Sequence, residues 1–158
     1  MKYKRFEDPP VWQDAVEPAL LIYQLTETEP LRKRRGFCGQ LERAGLFISN
    51  NIAEGFERGT TSELLTFLYI ARGSDGEVRS RLCLSGRMET DLKSQISDLK
   101  GKSERRSRQL YGWMEQLKDS GIKGQRRLDE NARKSFELEK ARKELPAQMK
   151  KHNPKIQI

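Results

Sequence analysis

The chain of 158 residues has a single histidine, His152, two cysteines, Cys38 and Cys83, and only 35% hydrophobic residues. Each scarcity excludes something. A lone histidine in a charged C-terminal segment leaves no Ser-His or Cys-His pair to activate a nucleophile and no imidazole cluster for zinc. The cysteines lack Cys-x-x-Cys spacing, so they read as two buried or half-buried thiols in a reducing compartment rather than a metal or disulfide framework. The longest wholly apolar stretch, Ala19 to Tyr23, is far below the ~20 residues a membrane-spanning helix needs. The charged start, Met1 to Pro10, has no apolar run behind it and does not read as a signal peptide. Neither a phosphate-binding G-x-x-x-x-G-K-[ST] loop nor a G-x-S-x-G nucleophile elbow occurs. The expectation is a cytoplasmic, membrane-free protein that is not an enzyme and uses no cofactor or metal.

What is abundant is charge. Charged residues make up 34% of the chain, the formal net charge is +8 and the pI is near 9.6. So little apolar material suits a slim helical bundle, in which each helix buries one stripe and leaves the rest wet. The excess of cations favours an acidic partner, nucleic acid first and an anionic membrane surface second. Three basic runs carry it: Arg32, Lys33, Arg34 and Arg35; then Lys100, Lys102, Arg105, Arg106 and Arg108, facing only Glu104; and the segment after Gly121, including Arg126 and Arg127. One such run is usually just solvated surface. Three in a small chain favour phosphate contacts. The candidate contacts are those of the first two runs with Arg126 and Arg127. They imply backbone and shape recognition of RNA, with DNA as the alternative, because no aromatic base-stacking platform is visible.

Spacing predicts four helices. Behind Pro9-Pro10, Trp12, Ala15, Val16, Ala19, Ile22 and Tyr23 recur at three and four residues, with Pro18 inside the pattern as an expected kink. A second helix runs from about Gly36 to Glu54 and is expected to end on Gly55 as C-cap. Its apolar stripe is Phe37, Leu41, Ala44, Ile48 and Ile52, with Gln40, Arg43, Asn51 and Glu54 as a polar stripe beside it. Thr60-x-x-Glu63 reads as a capping box opening a third helix, with Leu64, Phe67, Leu68, Ala71, Val78 and Leu82 inside. Gly73 costs that helix up to about 1 kcal/mol, which suggests another helix approaching closely there. On the fourth, Ile96, Leu99, Leu110, Trp113, Met114 and Leu117 share a side with Ser103 and Arg106. Either Gly101 interrupts this helix or its middle turn leaves the core. Tyr111 and Trp113 read as core residues. The division expected is a bundle over 1–120 and a basic helical or disordered extension over 121–158.

Asn51, Glu54, Gly73, Ser74 and Glu77 could bind metal or move protons, since carboxylates cluster among them. The stronger reading makes them, with Gln40, Arg43 and Gly55, structural or subunit-interface residues. Here a resemblance adds to the residue reading. Gln40-x-x-Arg43-Ala44, Ile48-x-x-Asn51-Ile52-Ala53-Glu54-Gly55, Arg58-Gly59, Glu63 and Ala71-x-Gly73-Ser74-x-x-Glu77 resemble the four-helix-bundle proteins encoded by intervening sequences in bacterial 23S rRNA genes. Val11-Trp12-Gln13-x-Ala15 and Ile22-Tyr23 look like the family's first helix, so the resemblance covers roughly 6–120. The same fold includes the accessory variability determinants of diversity-generating retroelements. The resemblance implies an all-α, antiparallel up-down four-helix bundle that assembles as a ring-like homopentamer with basic surfaces. In retroelements such a pentamer partners a reverse transcriptase and its template RNA. The function implied is a non-enzymatic nucleic-acid scaffold, with a protein-interaction module or a ribosomal RNA-associated protein as alternatives. Pro18, the pair Ser103 and Arg106, and the extension after Gly121 depart from the family pattern.

Overall fold

Among the described residues the chain forms α1 (Pro10–Thr26), α2 (Arg35–Glu57), α3 (Thr61–Met88) and α4 (Lys93–Asp119), with a 3₁₀ turn at Leu31–Lys33. The computed structural model describes residues 3–88, 91–121, 124 and 138. No strand occurs among them. Neighbouring helices run antiparallel. Gly45 of α2 meets Ile22 of α1, Gly55 meets Phe67 of α3, and Gly86 meets Ile96 of α4. The ring closes where Lys102 of α4 reaches Glu17 of α1. The four helices are those the apolar spacing predicted, and the up-down bundle is the one the resemblance implied. The extension after Gly121 lies outside the described residues, apart from Gly124 and Leu138.

Local chemistry explains the helix ends. Pro10 opens α1 at a position where a missing N–H is harmless. Thr60 Oγ1 accepts the Glu63 N–H at 3.2 Å and donates to the Glu63 carboxylate at 2.5 Å, which fixes the start of α3. The expected stop of α2 at Gly55 is wrong. The helix continues to Glu57, and the left-handed residue is Gly59, with φ +75°. Gly55 serves another purpose. A Cβ there would lie 2.6 Å from the Phe67 Cβ, so its bareness lets α2 and α3 close together. Gly73, expected at such an approach, has nothing within 4 Å inside the chain.

The core is built from Ala15, Ile22, Leu41, Ile48, Ile52, Leu64, Leu68, Val78, Leu82, Leu110 and Met114, all nearly inaccessible. Its middle layer is polar. Helix α4 runs unbroken through Gly101, and Ser103 and Arg106 stay inside. Their partner is Asp75, which occupies a core position of α3 between Ala71 and Val78. Asp75 and Arg106 are each 1% exposed. Ser103 donates to Asp75 Oδ1 at 2.9 Å, and Arg106 donates to the same oxygen through Nε at 3.1 Å and through Nη2.

The remaining guanidinium nitrogen, Nη1, donates to the Asp14 carbonyl at 3.1 Å. That acceptor is open because residue 18 is proline. In a helix the N–H four residues on would take the Asp14 carbonyl, and Pro18 has none. Pro18 is buried within α1, which continues through it as one helix. The two departures from the family pattern, Pro18 and the pair Ser103 and Arg106, are therefore one device joining α1, α3 and α4.

Candidate functional site

Two surfaces carry the residues singled out in the sequence. The first is the outer face of the α2–α3 pair. Arg81 Nη2 donates to Gln40 Oε1 at 3.4 Å, and the Arg58 guanidinium lies 5.3 Å from the Phe67 ring centroid. These contacts set the register. Along the seam Gln40 adjoins Arg81 near one end and Arg58 lies over Phe67 near the other, so the stretches 40–58 and 67–81 run side by side. The two halves of the sequence motif thus meet on one face.

The face is apolar in the middle and charged at its ends. Phe47 and Ile70 are each 46% exposed and Leu84 is 50% exposed. Gly73 is exposed, with nothing among the described residues within 4 Å of where a Cβ would be. Glu54 pairs with Arg58 at 2.7 Å and Glu77 with Arg81 at 2.6 Å, both four residues apart on one helix. Asn51 and Ser74 donate to the carbonyls of Phe47 and Ile70 one turn back. Among the described residues, the Gln40–Arg81 contact is the one hydrogen bond from these polar groups that joins α2 to α3. Gly55 lies beneath this face, buried between the helices.

The second surface is cationic. Arg32, Lys33, Arg34 and Arg35 are all exposed at the end of the bundle where the α1–α2 and α3–α4 connections meet. Arg87 and Lys93 stand at the same end, against Glu27, Glu29 and Asp91. Glu29 approaches Arg32 at 3.5 Å and Lys33 at 3.6 Å, loose surface pairs that leave the cations available. On α4, Arg105 and Arg108 are exposed and form no ion pair among the described residues, while Lys100 is half-buried. Lys102 is engaged by Glu17 at 2.9 Å, and that hydrogen bond holds its ammonium above the ordinary lysine value.

Arg106 does not belong to this surface. Its charge is spent on Asp75 inside the bundle, because its position on α4 repeats the apolar spacing and not the solvent-facing one. Arg126 and Arg127 lie outside the described residues. Two other expectations change. Cys38 is buried, with its thiol donating to the Leu31 carbonyl at 3.1 Å and pushed up in pKa by burial, but Cys83 is exposed. Tyr111 is 48% exposed under the Arg72 guanidinium, whereas Trp113 is half-buried against the core.

No group of three or more His, Cys, Asp or Glu among the described residues is arranged to hold a metal ion. No helix among them is long and apolar enough to cross a membrane. A model of the family described as 23S rRNA-intervening sequence protein matches residues 7–112. That span takes in α1 to α3 and most of α4, including Asp75, Arg106 and the whole α2–α3 seam. None of the curated proteins compared with the chain matches it.

Proposed function

The chain belongs to the 23S rRNA-intervening sequence protein family, and on that footing we propose that it is a non-enzymatic, self-associating scaffold that binds nucleic acid. In its finer form the proposal is a homopentamer in the cytoplasm, accessory to a reverse transcriptase and its template RNA in a diversity-generating retroelement. The observation that carries it is the cluster of exposed cations at one end of the bundle, Arg32 to Arg35 with Arg87 and Lys93. Such a cluster attracts phosphate without reading sequence, and repetition in an oligomer multiplies the contacts. Self-association draws support from the α2–α3 face. Exposed Phe47 on α2 and Ile70 on α3, on helices that also carry the Glu54–Arg58 and Glu77–Arg81 pairs, fit the apolar-centre and polar-rim pattern of an interface.

The decisive experiment titrates a structured RNA into the full-length protein at several salt concentrations, with duplex DNA alongside. Submicromolar binding that weakens steeply with salt is expected. No binding at low salt would defeat the reading and make the basic surface incidental. For assembly, Gly73→Leu should leave the helices intact, as the position is open within the chain, but lower the native mass. An unchanged mass would remove the α2–α3 face from the interface. The family's own description favours a second reading, association with ribosomal RNA. Tighter binding to ribosomal RNA fragments than to other structured RNA of equal length would select it.

A further inference from the structure

A cleft of about 310 Å³ opens between the N-terminal segment and the second half of α4, lined by Tyr3, Pro9, Pro10, Gln109, Gly112 and Trp113 among others. Its volume sits at the small end of the ~300–1,000 Å³ that ligand pockets span. Trp113 stands edge-on to Tyr3, with ring centroids 6.0 Å apart and planes at 89°, so the wall is aromatic and firmly seated. Gly112 contributes no side chain, and nothing lies within 4 Å of where a Cβ would be. The cleft floor is therefore open to a flat ligand.

One polar group lacks its complement. Gln109 Nε2 donates to Asp14 Oδ2 at 2.7 Å, and a carboxylate oxygen only accepts, so the amide orientation is set. That leaves Gln109 Oε1, buried and without a hydrogen-bond partner among the described residues. That oxygen is shielded even from water, so it is polarity behind the wall and not a contact for a ligand. Just along α4, Arg105 and Arg108 precede Gln109 and Gly112 by one helical turn each, exposed and outside any ion pair among the described residues.

We propose that this cleft takes an unpaired nucleobase of single-stranded nucleic acid, stacked on Trp113, with adjoining phosphates on Arg105 and Arg108. The inference rests on the nucleic-acid reading above and adds a base-contacting site to it. The combination is what single strands need: an aromatic surface for the base and cations for its flanking phosphates. A proline-rich peptide would also suit the aromatic wall, but it would leave the two arginines unused.

The test uses the full-length protein carrying Trp12→Phe, so that all indole emission comes from Trp113, the only other tryptophan. Three ligands are compared: a short single-stranded oligonucleotide, the same backbone with abasic sites, and inorganic polyphosphate. The oligonucleotide should quench Trp113 and bind at least about fivefold more tightly than its abasic counterpart, the lower end of what base–aromatic stacking contributes. Gly112→Leu, which fills the cleft from a position with free space, should reduce the oligonucleotide to the abasic affinity and leave polyphosphate binding unchanged. Equal affinity for the oligonucleotide and its abasic form, with Trp113 emission undisturbed, would overturn the cleft proposal and leave phosphate binding standing. Quenching by a proline-rich peptide but not by the oligonucleotide would overturn it as well. Failure to bind structured RNA or any of these polyanions would instead sink the nucleic-acid reading itself. The comparison of ligands on the unblocked protein decides the matter even if the leucine variant folds poorly.

Discussion

Arg106 joins three helices through one guanidinium, and its value depends on what surrounds it. It donates to Asp75 Oδ1 and to the carbonyl that Pro18 leaves open on Asp14. Removing it strands a carboxylate in the core, so Arg106→Met is expected to cost about 3–5 kcal/mol at neutral pH, read by urea unfolding. Asp75→Leu combined with Arg106→Met removes both charges and should recover most of that loss; equal losses in single and double variants would contradict the pairing. Burial pushes the Asp75 carboxyl up, against the pull of Arg106 and the Ser103 hydroxyl, and its Oδ2 has no hydrogen-bond partner among the described residues to oppose protonation. The folded state thus keeps the Asp75 proton to higher pH than the unfolded chain, whose value is about 3.9. The group's contribution is full below that pH and is lost as pH rises through the folded value. Wild-type stability relative to Asp75→Asn should therefore fall as pH rises from about 4, and a difference that rose would reverse the assignment.

At the scale of the element, helix spacing discloses much and hides some. The four helices and their apolar faces follow from three- and four-residue recurrence, and the capping box at Thr60 and Glu63 follows from its chemistry. The polar layer is half visible in the sequence. Ser103 and Arg106 stand in the core register of α4, but their partner, Asp75, sits inside a motif whose flanking Gly73, Ser74 and Glu77 form the more conspicuous pattern. An acid in the core register of α3 beside a cation in that of α4 is the signal that pairs them. Glycine misleads for a different reason. Propensity records that each helical glycine is costly, but only packing says which one is needed. Gly55→Ala should destabilise by about 1–3 kcal/mol, because a methyl 2.6 Å from Phe67 Cβ forces α2 from α3. Gly101→Ala meets nothing within 4 Å and should stabilise by about 0.5–1 kcal/mol. Thermal unfolding of the two variants checks the contrast, and shifts of the same sign would contradict it.

At the scale of the whole molecule, net charge guides association and says little about fold. The +8 charge is a property of composition alone, and placement decides where phosphate would lie under the proposed function. Cations at the bundle end, Arg32, Lys33 and Arg35, are separated along the helices from Arg105 and Arg108 on α4. Removing one cation that touches phosphate should lower the slope of log affinity against log salt by ~0.7–0.9. Reversing Arg32, Lys33 and Arg35 to glutamate is thus expected to reduce that slope by about 2–3 per binding chain. Arg34 is spared because it holds contacts within the chain. These side chains are exposed and their pairs with Glu29 are loose, so unfolding should change little, and weaker binding will not report a damaged fold. Reversing Arg105 and Arg108 provides the complementary measurement. A slope that drops only with the tip variant places the RNA backbone across the bundle end. One that drops only with the α4 variant routes it along that helix, past the cleft at Trp113, and removes the tip cluster from the binding path.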